Sequence, residues 1–344
     1  MNQQPFEIFA SCPGQSTALE LALAALQAGA TPVLDFEWSG TDHSAALRCW
    51  LALQQAAVAP SPIGLRVHHQ QGALLQTLLD HSSNTPVTVV LAGGATALPV
   101  TGAARCRWLA EITDAQQLAQ VPEGFHGLVA RGHEAGGWVG DDTSYILLQK
   151  LLQQTTRRLY VQGGIGLRSA AACRAAGAAG VVLDDALLLL AESPLAPAQQ
   201  QELSRLNGVE ARLFGELNGR PLRVYARAGS PALKAAEELS RQADADELSM
   251  QDWATQLASR CNFSGEPSSL LPIGQAIGMA ALYRRQFGSV AALILAVRKA
   301  CSLQIEQAVQ LGMLAEGGPL ALSHGTRFAL AQGPMTRVSD SPAF

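Results

Sequence analysis

Two glycine-rich turns carry the residue types best placed to do chemistry. The first is Ala130-Arg131-Gly132-His133-Glu134-Ala135-Gly136-Gly137-Trp138-Val139-Gly140, and the second is Val161-Gln162-Gly163-Gly164-Ile165-Gly166. Each follows a short apolar run that reads as a buried strand (127–130 and 159–161). Each precedes a helical pattern (142–153 and 167–176). A strand that feeds a glycine-rich turn and then a helix can bring bare backbone N–H groups up to a phosphate. Two such units in succession point to a parallel α/β architecture with a phosphorylated ligand at the strand C-termini.

The elements that must hold these turns alternate over the first 190 residues. Strand patterns lie at 6–11, 32–37, 63–67, 87–91, 107–112, 127–130, 159–162 and 180–183, mostly as short continuous apolar runs, as expected of parallel strands buried on both faces. Helical patterns fall between them at 16–28 (Ser16 as cap), 43–57, 72–81, 115–121, 142–154 and 168–176, whereas 93–104 is too short and too rich in Gly and Pro for a good helix. Eight β/α units predict a (β/α)₈ TIM barrel, with an open doubly wound sheet as the structural alternative. After a linker-like Ser193-Pro194-Leu195-Ala196-Pro197, residues 222–227 read as an isolated strand. From 231 to 314 the pattern is helical, in segments 233–243, 250–259, 271–286 and 290–311. The division is therefore a barrel at 6–192 and a mainly helical lobe at 193–322. Residues 326–335 read as a new strand running into a Gly-Pro turn, so 323–344 is the start of a second, truncated barrel in a longer polypeptide, or else a frayed terminus.

Composition narrows the function classes. The 344 residues are 48% hydrophobic, ample for a large core, and the net charge of −4 with scattered basic residues argues against a nucleic-acid partner. No apolar run approaches the roughly 20 residues of a membrane span, and the N-terminus lacks the pattern of a signal peptide. The six cysteines form no Cys-x-x-Cys pair, so neither a metal site nor a disulfide framework is expected, and a cytoplasmic setting fits. Cys12 stands apart as a residue of a strand-end loop.

Gly132-His133-Glu134-Ala135-Gly136-Gly137 followed by Val161-Gln162-Gly163-Gly164-Ile165 resembles the nitronate monooxygenase (2-nitropropane dioxygenase) family. That family is FMN-dependent and includes FMN-dependent enoyl-acyl carrier protein reductases. Gly274-Gln275-Ala276-Ile277-Gly278 is similar to its Gly-Gln-x-x-Gly segment, so the resemblance covers about residues 6 to 290. Gln332-Gly333-Pro334-Met335 resembles the family's opening strand and loop better than Ser11-Cys12-Pro13-Gly14-Gln15 does. Tandem barrels of this kind resemble modules of polyketide and polyunsaturated fatty acid synthases, which implies other domains of a multienzyme as partners. The resemblance implies FMN as cofactor, a small-molecule or acyl-thioester substrate, and a helical lobe packed over the barrel mouth. Backbone N–H groups of Gly163, Gly164 and Ile165, next to Gln162, would take the phosphate. Glu134, Ala135, Gly136 and Gly137 would lie beside the flavin, with Gln275 reaching in from the lobe.

The departures from the family pattern matter as much. The family's catalytic His is replaced by Trp138, whose indole cannot accept a proton at neutral pH. His133 is the nearest substitute as catalytic group. Where the family has Gly-Thr-Arg after the eighth strand, this chain has Leu183-Asp184-Asp185-Ala186-Leu187, and two carboxylates repel a phosphate dianion. Bland roles remain open: tight-turn geometry for the glycines, a helix cap or salt bridge for Glu134, solvation or packing for His133. Two functional readings compete. One is an FMN-dependent oxidoreductase of nitronate monooxygenase or enoyl-thioester reductase type that holds its flavin weakly. The other is a catalytically degenerate barrel that serves as a scaffold or docking domain. A flavin-free phosphosugar enzyme finds no support, since no paired carboxylates or lysine stand out in the right loops.

Overall fold

All eight apolar runs become parallel strands, and each is buried on both faces. In the computed structural model, which describes residues 5–14, 18–39, 43–57, 61–82, 86–94, 106–216, 221–331 and 333, they are β1 (Glu7–Pro13), β2 (Thr31–Asp35), β3 (Ile63–His68), β4 (Val87–Ala92), β5 (Cys106–Ile112), β6 (Gly127–Arg131), β8 (Arg158–Gln162) and β9 (Gly180–Leu183). They close in the order β1-β2-β3-β4-β5-β6-β8-β9. Closure comes from β1 against β9, with Glu7 opposite Gly180 and Ala10 opposite Leu183. The expected (β/α)₈ barrel is therefore complete, and the open sheet is excluded.

Side chains alternate across each strand. Phe9, Val33, Val90, Leu109, Val129, Tyr160 and Val182 fill the barrel interior. Their neighbours, such as Leu34, Leu128, Ala130 and Val161, pack outward with the helices. The helices that return between strands are α1 (Leu19–Gln27), α2 (His43–Ala56), α3 (Gly72–Asp80), α4 (Ser144–Leu152) and α5 (Leu167–Ala176). The segment expected as a helix at 115–121 is a 3₁₀ turn, Ala115–Gln120, capped by Asp114 accepting from the Gln116 N–H. Ser16 and most of 93–104 lie outside the described residues. Cys12 belongs to β1 rather than to a loop, and it is buried.

The region after β9 is less separate than its composition implied. Helices α6 (Pro197–Leu203), α7 (Pro231–Asp244), α8 (Met250–Ala258), α9 (Ile277–Phe287), α10 (Val290–Leu311) and α11 (Pro319–His324) do form there. Yet α10 lies on α5 and α1 in the barrel's outer ring. Its Val290, Leu293, Ile294, Val297 and Cys301 recur on one helical stripe and join the barrel core. It is thus the return helix of the eighth β/α unit, and the lobe is an insertion between β9 and that helix. The expected helix over 271–286 starts only at Ile277, because the Tyr225 and Leu271 backbones exchange hydrogen bonds of 2.8 and 3.0 Å that hold this stretch extended. Residues 326–331 adopt bends and coil rather than strand, and residues 332 and 334–344 lie outside the described residues.

The isolated strand expected at 222–227 is not isolated. β11 (Leu222–Tyr225) pairs antiparallel with β10 (Ala211–Phe214) and with β7 (Gly137–Trp138). The end of the first glycine turn therefore becomes an edge of a three-stranded sheet in the lobe. Trp38, Trp138, Phe214, Leu222, Val224, Trp253 and Leu257 form the core beneath it. This sheet and the segment 270–275 cover the C-terminal mouth, as expected of the lobe.

Candidate active site

The C-terminal ends of the strands converge on a buried ionic network. Arg66, at the end of β3, donates from Nη1 to both Asp35 oxygens at 3.0 and 2.9 Å, and from Nε and Nη2 to Glu111 at 2.8 Å each. Its Nη1 also stands 2.6 Å from Glu37 Oε2. Arg131, at the end of β6, approaches Glu111 at 3.4 Å and donates to the Gly136 carbonyl. Arg66, Glu37, Glu111 and Arg131 side chains are all at most 4% exposed. At such depth charges persist only when paired. Burial alone would raise Glu111, but Arg66 and Arg131 hold it down to about 2. Burial pushes Glu37 up to about 7 against the pull of Arg66, with Asp35 and Glu111 adding to the rise. Three carboxylates share one guanidinium, and Glu37 is the one left poorly compensated.

None of these five residues stood out as a site residue in the sequence, and the expectation that the strand-end loops lack paired carboxylates is wrong. The signal was present: each charge ends or closely follows an apolar run, as in Val33-Leu34-Asp35-Phe36-Glu37 and Trp108-Leu109-Ala110-Glu111.

The first glycine turn folds back on itself. The His133 ring nitrogen Nδ1 lies 2.8 Å from the Gly140 carbonyl, its N–H donates to the Asp142 carbonyl, and its own carbonyl accepts from Arg223. This ring ties the 133–142 loop together. Glu134 does what a helix cap does: its carboxylate accepts from the Ser144 N–H at 2.9 Å and the Ser144 hydroxyl at 3.3 Å, at the start of α4. Removing such a cap costs about 0.5–2 kcal/mol, so Glu134→Ala is expected to lower stability by that amount in urea titrations while far-UV circular dichroism stays native-like. Ala135 and Gly136 are buried under the lobe, and Trp138 packs edge-on against Trp253 with centroids 5.9 Å apart. Gln275 does reach this turn, but with its backbone: its N–H donates to the Glu134 carbonyl at 2.9 Å while its side chain is exposed.

The second turn keeps the shape of an anion cradle. Gly163 and Gly164 have φ of +109° and +64°, a region that favours glycine, and they lead into α5. Ile165 is fully buried behind them. Gln162 donates to Asp184 Oδ2 at 3.2 Å. Beyond β9 the carboxylates do more than repel. Asp184 accepts from the Asp185 N–H at 2.8 Å and caps the 3₁₀ turn Asp185–Leu187. Asp185 accepts from the Gly274 N–H at 2.8 Å. Two backbone donors near the mouth are thus already spent on the protein's own carboxylates. Burial raises Asp184, and burial together with Asp184 raises Asp185 well above the usual carboxylate range.

About 30 Å³ of space remains at the centre of the mouth, between Arg131, Gln162, Asp184, Trp38, Phe263 and Pro272. Two larger cavities open beside it under the lobe. One of about 420 Å³ is lined by Glu37, Glu111, Thr113, Asp114 and Trp138. The other, of about 820 Å³, is lined by Glu37, Trp38, His43, His68, Trp138 and Asn262. Both are of the size, roughly 300–1,000 Å³, that takes small-molecule ligands. Among the described residues no His, Cys, Asp or Glu cluster is arranged to hold a metal ion, and no single helix is long and apolar enough to cross a membrane.

Solved enzymes share this fold. FabK from Thermotoga maritima superposes with a TM-score of 0.69 at 18% identity, covering 89% of this chain and 95% of that one. A nitroalkane oxidase from Streptomyces ansochromogenes gives 0.64 at 19%, covering 90% and 99%. The enoyl reductase domain of MlnA, from the macrolactin biosynthesis cluster of Bacillus amyloliquefaciens, gives 0.68 at 9%, covering 89% and 96%. The match spans the barrel and the inserted lobe together, and at these identities it is a likeness of fold. No family model and no curated protein matches the sequence.

Proposed function

We propose that this chain is a flavin-dependent oxidoreductase of nitronate monooxygenase or enoyl-thioester reductase type, acting on a small-molecule or acyl-thioester substrate beneath the lobe. The observation that carries this reading is the Gly163-Gly164-Ile165 cradle at the start of α5, set beside cavities of substrate size at the barrel mouth. The likeness in fold to a nitroalkane oxidase and an enoyl reductase domain supports the same reaction class. It also supports an assembly-line setting, with other domains of a multienzyme as partners.

FMN fits this chain at its phosphate end. The glycine pair gives close backbone approach, and α5 adds its dipole. Arg131 Nε, buried without a hydrogen-bond partner, offers a donor to an acceptor atom in the mouth. When bound, the flavin supplies the hydride or one-electron chemistry. The protein's own part is to bind the phosphate, orient the substrate beside Trp138 and exclude water with the lobe.

A second reading, the degenerate scaffold or docking barrel, is favoured by the spent donors at Asp184 and Asp185 and by the small space left at the mouth. One experiment separates the two. Purified protein that carries the cofactor absorbs at about 450 nm, and a scaffold is colourless even with added FMN. Asp184→Gly frees the Asp185 N–H and removes a negative charge, so it should tighten FMN binding by at least about tenfold, equal to about 1.4 kcal/mol. Equal dissociation constants for parent and variant, read by fluorescence quenching, would remove the acidic loop as the limit on binding.

A further inference from the structure

We propose that Glu37 is the proton-transfer residue of this cleft, taking a proton from a carbon atom activated by a neighbouring carbonyl or nitro group. The proposal rests on the reading of the cavities under the lobe as the substrate site, but it does not need the flavin. Glu37 follows β2 by two residues and lies in the wall of both large cavities, as Trp138 does. Its side chain is 4% exposed, and neither carboxylate oxygen has an aligned hydrogen-bond partner among the described residues. The Arg66 contact at 2.6 Å supplies charge without that alignment, because Arg66 directs its hydrogen bonds to Asp35 and Glu111. A buried carboxylate normally accepts several hydrogen bonds. One that accepts none while facing a cavity is free to exchange a proton with whatever occupies it.

The surrounding charges divide the labour. Asp35 on β2, Arg66 and His68 on β3, Glu111 on β5, Arg131 on β6 and Cys261 in the lobe face Glu37 or the wall next to it. His43 lines the larger cavity; Asp114 and Asp141 line the smaller. Glu111 stays ionised at about 2, whereas Glu37 titrates at about 7. Environments that push two neighbouring carboxyls apart in this way mark one as a fixed charge and the other as an acid–base group. A base is most effective when its pKa lies near the working pH. Trp138 cannot perform this step, and His133 has its ring against Gly140 at 2.8 Å.

The step balances without an oxidant. The substrate C–H bond breaks, its proton bonds to a Glu37 oxygen, and the electron pair stays on the substrate as an enolate or nitronate. Exchange of the Glu37 proton with water and reversal of the step replace the substrate hydrogen by a solvent one.

The test is flavin-free. Full-length protein is incubated in D₂O with nitroethane and, separately, with a short acyl thioester, and loss of the α-hydrogen signal is followed by proton NMR. The parent should accelerate exchange over buffer for at least one probe, with a rate that rises with pH and levels near 7. Glu37→Gln should lower the rate at least about 100-fold, and Glu37→Asp should restore part of it with a displaced pH profile. Near-UV circular dichroism reports whether each variant is folded. A folded Glu37→Gln that exchanges like the parent overturns the proposal. So does a parent that accelerates neither probe, or one whose rate shows no inflection near neutrality. A colourless protein that catalyses exchange sinks the flavin reading and keeps Glu37, and a yellow one that does not exchange does the reverse.

Discussion

Arg66→Met is expected to destabilise the protein by about 3–5 kcal/mol, the cost of removing one partner from a buried ionic network. The size follows from what Arg66 serves: Asp35, Glu37 and Glu111 at 2.9, 2.6 and 2.8 Å. Without it three carboxylates remain in the mouth with Arg131, which reaches only Glu111, at 3.4 Å. Methionine fills much of the volume, so the loss is mainly electrostatic. The pH dependence gives an independent signature. In the parent, Glu111 is held below its ordinary 4.5, at about 2, so it contributes stability that is present above pH 4.5 and lost as the pH falls through 2. Glu37 is raised to about 7, so its contribution is present below 4.5 and lost as the pH rises through 7. Removing Arg66 raises all the carboxyls it served, so the variant should regain stability on mild acidification. Urea midpoints of parent and variant at pH 7.5 and pH 5 are therefore expected to converge at the lower pH. A variant within about 1 kcal/mol of the parent at pH 7.5 would mean that water reaches the network and screens it.

That network was the part of the site least legible in the sequence. The strands were legible because burial on both faces makes each of them a short apolar run between polar turns. Arg66 lies 31 residues from Asp35 and 45 from Glu111. Only barrel closure places them side by side, and each alone reads as a charge ending a strand. Glu134 shows the opposite case: its spacing from Ser144 admitted a cap, and the structure gives it that role. The β7 strand was hidden because Gly137 and Trp138 pair with Arg223 and Leu222, far along the chain. Likewise α10 carries the apolar stripe of any amphipathic helix, and nothing local says that the stripe faces α5 and α1 rather than the lobe.

The seam between lobe and barrel sets the second large expectation, that Gly274→Ala pries the lobe from the mouth while leaving the barrel folded. A methyl at this position would stand 2.2 Å from the Glu134 carbonyl oxygen and 2.6 Å from Ala135 C and Gly136 N, all of them backbone atoms. None can move as a flexible side chain would, so one chain must retreat from the other. Two hydrogen bonds cross here, from Gly274 N–H to Asp185 and from Gln275 N–H to the Glu134 carbonyl. Retreat strands the Asp185 carboxyl and the Glu134 carbonyl, each at a cost of about 1–3 kcal/mol if left buried and unpaired, on top of about 1–3 kcal/mol for overpacking. The barrel core does not depend on this contact, since its closure and its interior residues lie elsewhere. Limited proteolysis should therefore cut the variant faster within 204–276, with 106–183 still protected, while far-UV circular dichroism changes little. The tryptophans beneath the lobe sheet give the matching optical signal: Trp138 and Trp253, packed edge-on in the parent, should lose near-UV intensity as the sheet lifts. If proteolysis and near-UV spectra match those of the parent, the lobe is held by the α9 and β11 contacts rather than by this seam. In that case the cavities at Glu37 stay roofed whatever happens at Gly274.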